Sequence, residues 1–178
     1  MDTVTDGVVV IGAGLAGCEC ALALAKRGVP VKLYEMRPQA TSAAHKTDHL
    51  AELVCSNSLK ALRADSAAGL LKAELTRLGS TLIGLAKQAA VPAGGALAVD
   101  RDVFSSLVEQ AVAAEPLIEL IREEVVELSQ GCPVVVAAGP LCSGALAQTV
   151  EGLVGGKKLS FFDAAAPIVD ASTLDREK

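Results

Sequence analysis

Tryptophan is missing from this chain of 178 residues, and the remaining aromatic side chains are one tyrosine and three phenylalanines, Tyr34, Phe104, Phe161 and Phe162. With 51% hydrophobic residues and so few rings, the core must be filled by Ala, Leu and Val. Basic charge is also short. Sixteen Lys and Arg stand against 21 Asp and Glu, giving a net charge of −5, the wrong sign for a chain held to nucleic acid by a general basic surface. Single-stranded bases are held by stacking and by cations, so these residues alone are not expected to grip RNA, and no DNA partner is expected. Cysteine is odd in number and scattered: Cys18, Cys20, Cys55, Cys132 and Cys142 form neither a disulfide framework nor paired zinc ligands. That pattern fits a reducing cytoplasm and no metal site.

A long uninterrupted apolar run is lacking too. Gly7 to Ala25 carries one charge, Glu19, but its glycines at 7, 12, 14 and 17 and the change from a β-type to a helical pattern in its middle exclude a membrane span or signal peptide. It reads instead as a buried strand, Val8 to Ile11, a glycine turn, and an Ala/Leu-rich helix from Leu15 to Lys26 that is stopped by Gly28 and Pro30. Val31 to Glu35 makes a second strand.

The turn is Gly12-Ala13-Gly14-Leu15-Ala16-Gly17. The first glycine permits the tight turn, the second lets backbone approach a pyrophosphate, and the third lets the helix lie close on the sheet, with the pyrophosphate on the helix N-terminus. Glu35, ending the second strand, falls where ribose hydroxyls are bound. An acid there repels a 2′-phosphate, so the cofactor is of the FAD or NAD kind, and the residues alone leave those two open.

Downstream, leucines at 70, 71, 75, 78, 82 and 85, with Ala86, predict one amphipathic, core-packed helix across about 67–90, weakened at Gly79. Asp100 is a candidate N-cap for a helix from Arg101 to Ala114. Ile118 to Arg122, Val125 to Leu128 and Val134 to Ala137 predict short strands, a small β insertion near 118–137. The expected fold is α/β, a Rossmann-type parallel sheet of the FAD-binding kind with helices on both faces, occupying 1–178 as one domain.

Between Pro38 and Asp65 runs a long polar segment without period, and such loops inside compact domains are usually functional. Cys55 in it has Ser56, Asn57 and Ser58 as neighbouring donors and His45, Lys46, Lys60 and Arg63 as nearby cations that would stabilise a thiolate.

Longer blocks carry a resemblance. The glycine turn with Glu19, Tyr-Glu-Met-Arg-Pro at 34–38, Ala-His-Lys-Thr at 44–47, Ala-Glu-Leu-Val-Cys-Ser-Asn-Ser-Leu at 51–59, Ala-Gly-Leu-Leu-Lys at 68–72, Val-Pro-Ala-Gly-Gly-Ala-Leu-Ala-Val-Asp-Arg at 91–101 and Phe-Asp-Ala-Ala-Ala-Pro-Ile-Val-Asp at 162–170 resemble the bacterial folate- and FAD-dependent tRNA (uracil-5-)-methyltransferases. The resemblance implies a flavoprotein that methylates the T-loop uridine of tRNA, taking carbon from methylenetetrahydrofolate and reducing equivalents from NAD(P)H through FAD. It implies a catalytic thiol at Cys55, either adding to C6 of the uracil or transferring a proton. FAD ligands are implied within Gly12, Ala13, Gly14, Leu15, Ala16 and Gly17 and at Glu35, with Arg37 and Lys46 in the cofactor loop. Val134 to Gly139 matches that family's second crossing near the flavin, and Cys18 and Cys20, where Ser or Ala is usual, are expected to be packing residues. Members of the family continue beyond the Ala-Pro-Ile-Val-Asp block, so the chain resembles an N-terminal fragment. Two other readings stay in play: an FAD/NAD(P)-dependent oxidoreductase acting on a small substrate, and a cofactor-binding module without catalysis.

Overall fold

Short β-branched runs separated by helices suit a parallel sheet whose central strands are covered on both faces. The computed structural model describes residues 7–42 and 44–155. The block at 162–170 lies outside the described residues. Strand β1 (Val8–Ile11) is central: it pairs in parallel with β2 (Val31–Tyr34), Val8 opposite Val31, and on its other side with β7 (Val134–Val136), Val9 opposite Val134. Beyond β2 lies β6 (Ile118–Ile121), also parallel, so the order is β6-β2-β1-β7. Helix α1 (Leu15–Ala25) and helix α4 (Arg101–Ala113) pack on one face around Val10, Leu33, Phe104 and Val108. Helix α5 (Gly144–Leu153) covers the other, where Leu146 meets Val9 and Ile11. Helices therefore lie on both faces, as the sequence predicts. No helix among the described residues is long and apolar enough to cross a membrane.

The small β unit is present but in another place. Ile118–Ile121 and Val134–Val136 join the parallel sheet, whereas β3 (Ser58–Ala61), β4 (Ala90–Val91) and β5 (Ala96–Val99) form a separate antiparallel sheet of order β3-β5-β4. Val125 to Leu128 is not a strand. Val125 and Leu128 pack against the α5 side of the sheet, and the Val126 carbonyl accepts the Thr149 hydroxyl of α5 at 2.6 Å instead of a ladder bond.

The long leucine helix is two helices, α2 (Ala67–Arg77) and α3 (Thr81–Gln88). Gly79, at φ +82°, takes the left-handed conformation that ends a helix, and Ser80 caps the next by accepting the Ile83 N–H. The break turns the halves differently: Leu82 and Ala86 are buried, while Leu70, Leu71 and Leu78 are exposed, against the expectation that all would be core. Asp100 caps α4 as predicted, accepting the N–H groups of Asp102 and Val103.

Glu19 of α1 reaches the start of α3, where its carboxylate accepts the Ser80 hydroxyl at 2.6 Å and the Thr81 and Leu82 N–H groups at 2.9 and 3.0 Å. This ties α1 to α3 through donors that α3 cannot satisfy itself. Glu19→Ala is expected to cost about 1–2 kcal/mol in urea unfolding, the scale of a lost cap. An unchanged unfolding midpoint would mean that water serves those donors equally well.

Candidate functional site

The strand order reverses about β1, and in open α/β sheets the crevice outside the carboxyl ends at that point is where ligands bind. A cleft of about 560 Å³, partly open to solvent, lies there, lined among others by Gly12, Gly14, Glu35, Arg37, His45 and Cys142. Gly12 has φ +99°, and a Cβ on it would come within 2.6 Å of the Ala138 backbone, so β7 closes against the turn. Gly17 is packed just as tightly, since its Cβ would overlap the Gly12 carbonyl oxygen at 1.8 Å. Above Gly14 there is open space: a Cβ there meets nothing within 4 Å. Helix α1 begins at Gly14 with no side-chain cap and no acid in its first turn. An uncapped helix start with clear space over it is what a pyrophosphate requires.

Glu35 is buried, and three of its four acceptor positions are in use. Oε2 accepts the Ala13 N–H at 3.1 Å, and Oε1 accepts the Arg37 backbone N–H at 3.2 Å and Nε at 2.8 Å. One position on Oε2 is left for a ribose hydroxyl. Burial alone would push the Glu35 carboxyl up, but the Arg37 guanidinium and the two N–H groups hold it below the usual carboxylate range, so it is ionised at neutral pH.

Arg37 is 2% exposed, and its role differs from a loop cation's. Besides Glu35, its Nη1 donates to the Thr47 carbonyl at 3.0 Å and to Glu52 Oε2 at 2.9 Å. Glu52 in turn accepts the N–H groups of Lys46 and Thr47. Its carboxyl is likewise held low: burial opposes, and these N–H groups prevail. A further cation, Arg122, donates to the Asp48 carbonyl at 2.6 Å and contacts Glu109, whose carboxylate accepts the Leu50 N–H. Through Arg37 the 46–52 segment is thereby fastened to Glu35 from both ends. Glu52, Glu109 and Arg122 were not candidates in the sequence. Glu52 lies inside a block already noted, but nothing local pairs it with a residue 15 positions earlier.

The glycine turn is itself bonded to that segment. The Ala13 carbonyl accepts the Ala51 N–H at 2.9 Å and the Cys18 thiol at 3.2 Å, with Ala51 held at φ +51°. Burial pushes the Cys18 thiol up to about 12, so it is an inert packing group, as expected, and Cys20 is raised by burial too. Leu15 and Ala16 face away from the cleft, lining a groove on the other side of α1. Lys46 is exposed and is not among the residues lining the cleft. His45 does line it, with Nδ1 bonded to Ser42 Oγ at 2.7 Å, and burial followed by the Arg37 charge lowers its pKa, so the imidazole is neutral at pH 7.

Cys55 is exposed, outside the cleft lining and four residues beyond the Ala51 anchor. The donors expected to attend it are engaged elsewhere: Asn57 Nδ2 bonds the Val99 carbonyl, Ser56 Oγ accepts the Ser58 N–H, and Arg63 forms an exposed ion pair with Asp65. Ser56 and Asn57 thus shape the approach to β3, and among the described residues none of these groups hydrogen-bonds the thiol.

The chain matches the family model described as glucose inhibited division protein A over residues 7–178. Among curated proteins, methylenetetrahydrofolate–tRNA-(uracil-5-)-methyltransferase TrmFO of Streptococcus pneumoniae, in strains Hungary19A-6 and G54, is 54% identical over 169 residues, 95% of this chain and 38% of the relative. The chain thus spans well under half the length of these relatives. Among solved structures, Aquifex aeolicus GidA in its form I crystal superposes with TM-score 0.60 at 18% identity over 75% of this chain and 25% of that one, a likeness of fold.

Proposed function

The chain belongs to the glucose inhibited division protein A family, and on that premise we propose that it is the FAD-holding portion of a folate-dependent enzyme that methylates C5 of a tRNA uridine. The observation that carries the reading is the Ala51 N–H bond to the Ala13 carbonyl, which pins the Cys55 loop to the turn that would hold the pyrophosphate. The TrmFO relatives supply the substrate class: folate as carbon donor and tRNA uracil as acceptor.

Gly12, Gly14 and the open start of α1 would hold the pyrophosphate, and the remaining acceptor of Glu35 the adenosine ribose. A bound flavin supplies reducing equivalents, drawn in this reading from NAD(P)H, and can carry a one-carbon unit. Uracil C5 is a weak nucleophile, and Cys55, as thiolate, either adds to C6 and makes C5 nucleophilic or removes the C5 proton. Its exposure leaves it accessible to a base presented from outside. The tRNA itself would be held chiefly by parts of such an enzyme other than this acidic, aromatic-poor chain, consistent with a cytoplasmic protein in which residues 1–178 act as the cofactor-binding domain.

Two measurements test this. FAD added to the purified chain should give a bound-flavin visible spectrum. In a full-length protein carrying this chain, Cys55→Ala should keep that spectrum and cut tRNA methylation by about 100-fold or more, the low end for loss of a proton-transfer group. Methylation left intact would remove Cys55 from the reaction, and no tRNA methylation by the unmutated full-length protein would favour the oxidoreductase on a small substrate instead.

A further inference from the structure

Glu52 has no part in the chemistry proposed above, yet its carboxylate is held firmly beside Glu35 and Arg37. Oε1 accepts the Lys46 N–H at 2.9 Å, and Oε2 accepts Arg37 Nη1 at 2.9 Å and the Thr47 N–H at 3.3 Å. The guanidinium it bonds belongs to the residue two positions after Glu35, and dinucleotide sites that accept a 2′-phosphate place an arginine near the ribose in this way. Arg37 lines the cleft, and its Nη2 bonds none of the described residues. Taken alone, such a cation would favour a phosphate there.

The charge balance opposes it. One guanidinium faces two carboxylates, Glu35 at 2.8 Å and Glu52 at 2.9 Å, and both carboxyls are held below their ordinary value. The cluster is therefore net negative at neutral pH. Among the described residues that line the cleft no other cation offsets it: Glu123 and Glu124 add negative charge, and His45 is neutral at pH 7. Arg122, which donates to the Arg37 carbonyl at 3.3 Å, is paired with Glu109 and does not line the cleft. With Glu35 alone Arg37 would form a neutral pair, so Glu52 is the charge that tips the cluster. In a cleft partly shielded from water, one such charge acts more strongly than on an open surface.

We propose that Glu52 is a specificity-determining residue: by over-neutralising Arg37 it makes the cleft accept an adenosine ribose with a free 2′-hydroxyl and reject one that carries a 2′-phosphate. The assignment rests on the dinucleotide reading of the cleft and adds the residue that chooses between two classes of dinucleotide. Glu52 touches neither ligand; it acts through the guanidinium. A 2′-phosphorylated reductant then does not compete with the flavin dinucleotide for this cleft.

The test is calorimetric titration of the purified chain at neutral pH with ADP-ribose and with 2′-phospho-ADP-ribose, which differ only at the 2′ oxygen. The native chain should bind ADP-ribose at least about 100-fold more tightly, and in Glu52→Gln that ratio should fall at least about tenfold through tighter binding of the phosphate. A merely structural role for Glu52 would weaken both ligands alike, so an unchanged ratio overturns the proposal. Equal binding of the two ligands by the native chain overturns it too. Glu52→Ala replaces Glu52→Gln if the latter does not fold. The native chain gives a further check without any substitution: repulsion is screened by salt and the ratio narrows, whereas rejection by shape alone is indifferent to salt and overturns the proposal. Failure of ADP-ribose itself to bind strikes the dinucleotide reading and this inference together, while ADP-ribose binding with an unchanged ratio in the variant strikes this inference alone.

Discussion

Replacing Arg37 by Met should lower the unfolding free energy at pH 7 by about 3–5 kcal/mol, the cost of leaving buried charge without its partner. Two carboxylates are bonded to this guanidinium, Glu35 at 2.8 Å and Glu52 at 2.9 Å, with side-chain exposures of 6% and 12%. Arg37→Lys should recover little, because the network uses the fork, with Nε on one acid and Nη1 shared between the other acid and the Thr47 carbonyl. The pH dependence separates this cause from simple loss of packing. In the native protein both carboxyls are held below their ordinary value. They therefore contribute stability that is present above that ordinary value and is lost as pH falls through the lowered one. In the variant the cation that outweighed burial is gone, so the Glu35 carboxyl should rise, and protonation then favours the folded form. The gap between native and variant should narrow between pH 7 and about pH 4. Urea titrations at both pH values measure it. A loss below about 1 kcal/mol, or a gap constant with pH, would show that Arg37 is not the cation that keeps Glu35 ionised.

That network marks the limit of what the sequence discloses. The fingerprint, Glu35, the stop of α1 at Gly28 and the Asp100 cap of α4 are legible because each is local: a glycine, an acid or an Asp acts within a few residues of itself. The role of Arg37 is not, because its partners stand 2, 10 and 15 residues away, and Arg122 donates to the Arg37 carbonyl across 85. The same reason hides the antiparallel sheet. Ser58 pairs with Ala98 across 40 positions, and β4 is two residues long, so neither shows a period of its own. Conversely, Ile118–Ile121 was legible as a strand, but nothing in four residues says which sheet it joins. The leucine spacing across Gly79 misled for a different reason. A glycine at positive φ resets the helical phase, and residues that would share one face of a continuous helix then lie on two.

The glycine turn allows shape and chemistry to be separated. Gly17→Ala must place a Cβ where the Gly12 carbonyl oxygen stands, 1.8 Å away and on backbone that β7 holds from behind. Neither side can give cheaply, so a stability loss of about 1–3 kcal/mol is expected. The shift that relieves the clash moves the turn's N–H groups off a bound pyrophosphate. Losing two charge-assisted hydrogen bonds, each about 1.5–3 kcal/mol, corresponds to at least about a 100-fold weaker FAD. Gly14→Ala is the contrast. Its φ is negative and its Cβ meets no atom within 4 Å, so stability should change by less than about 1 kcal/mol. FAD should nevertheless bind far more weakly, because the added methyl stands in the space above the helix start. Thermal unfolding and an FAD absorbance titration of the two variants resolve this. If Gly14→Ala binds FAD like the native chain, the pyrophosphate does not lie over the α1 terminus, and the open space there serves some other ligand.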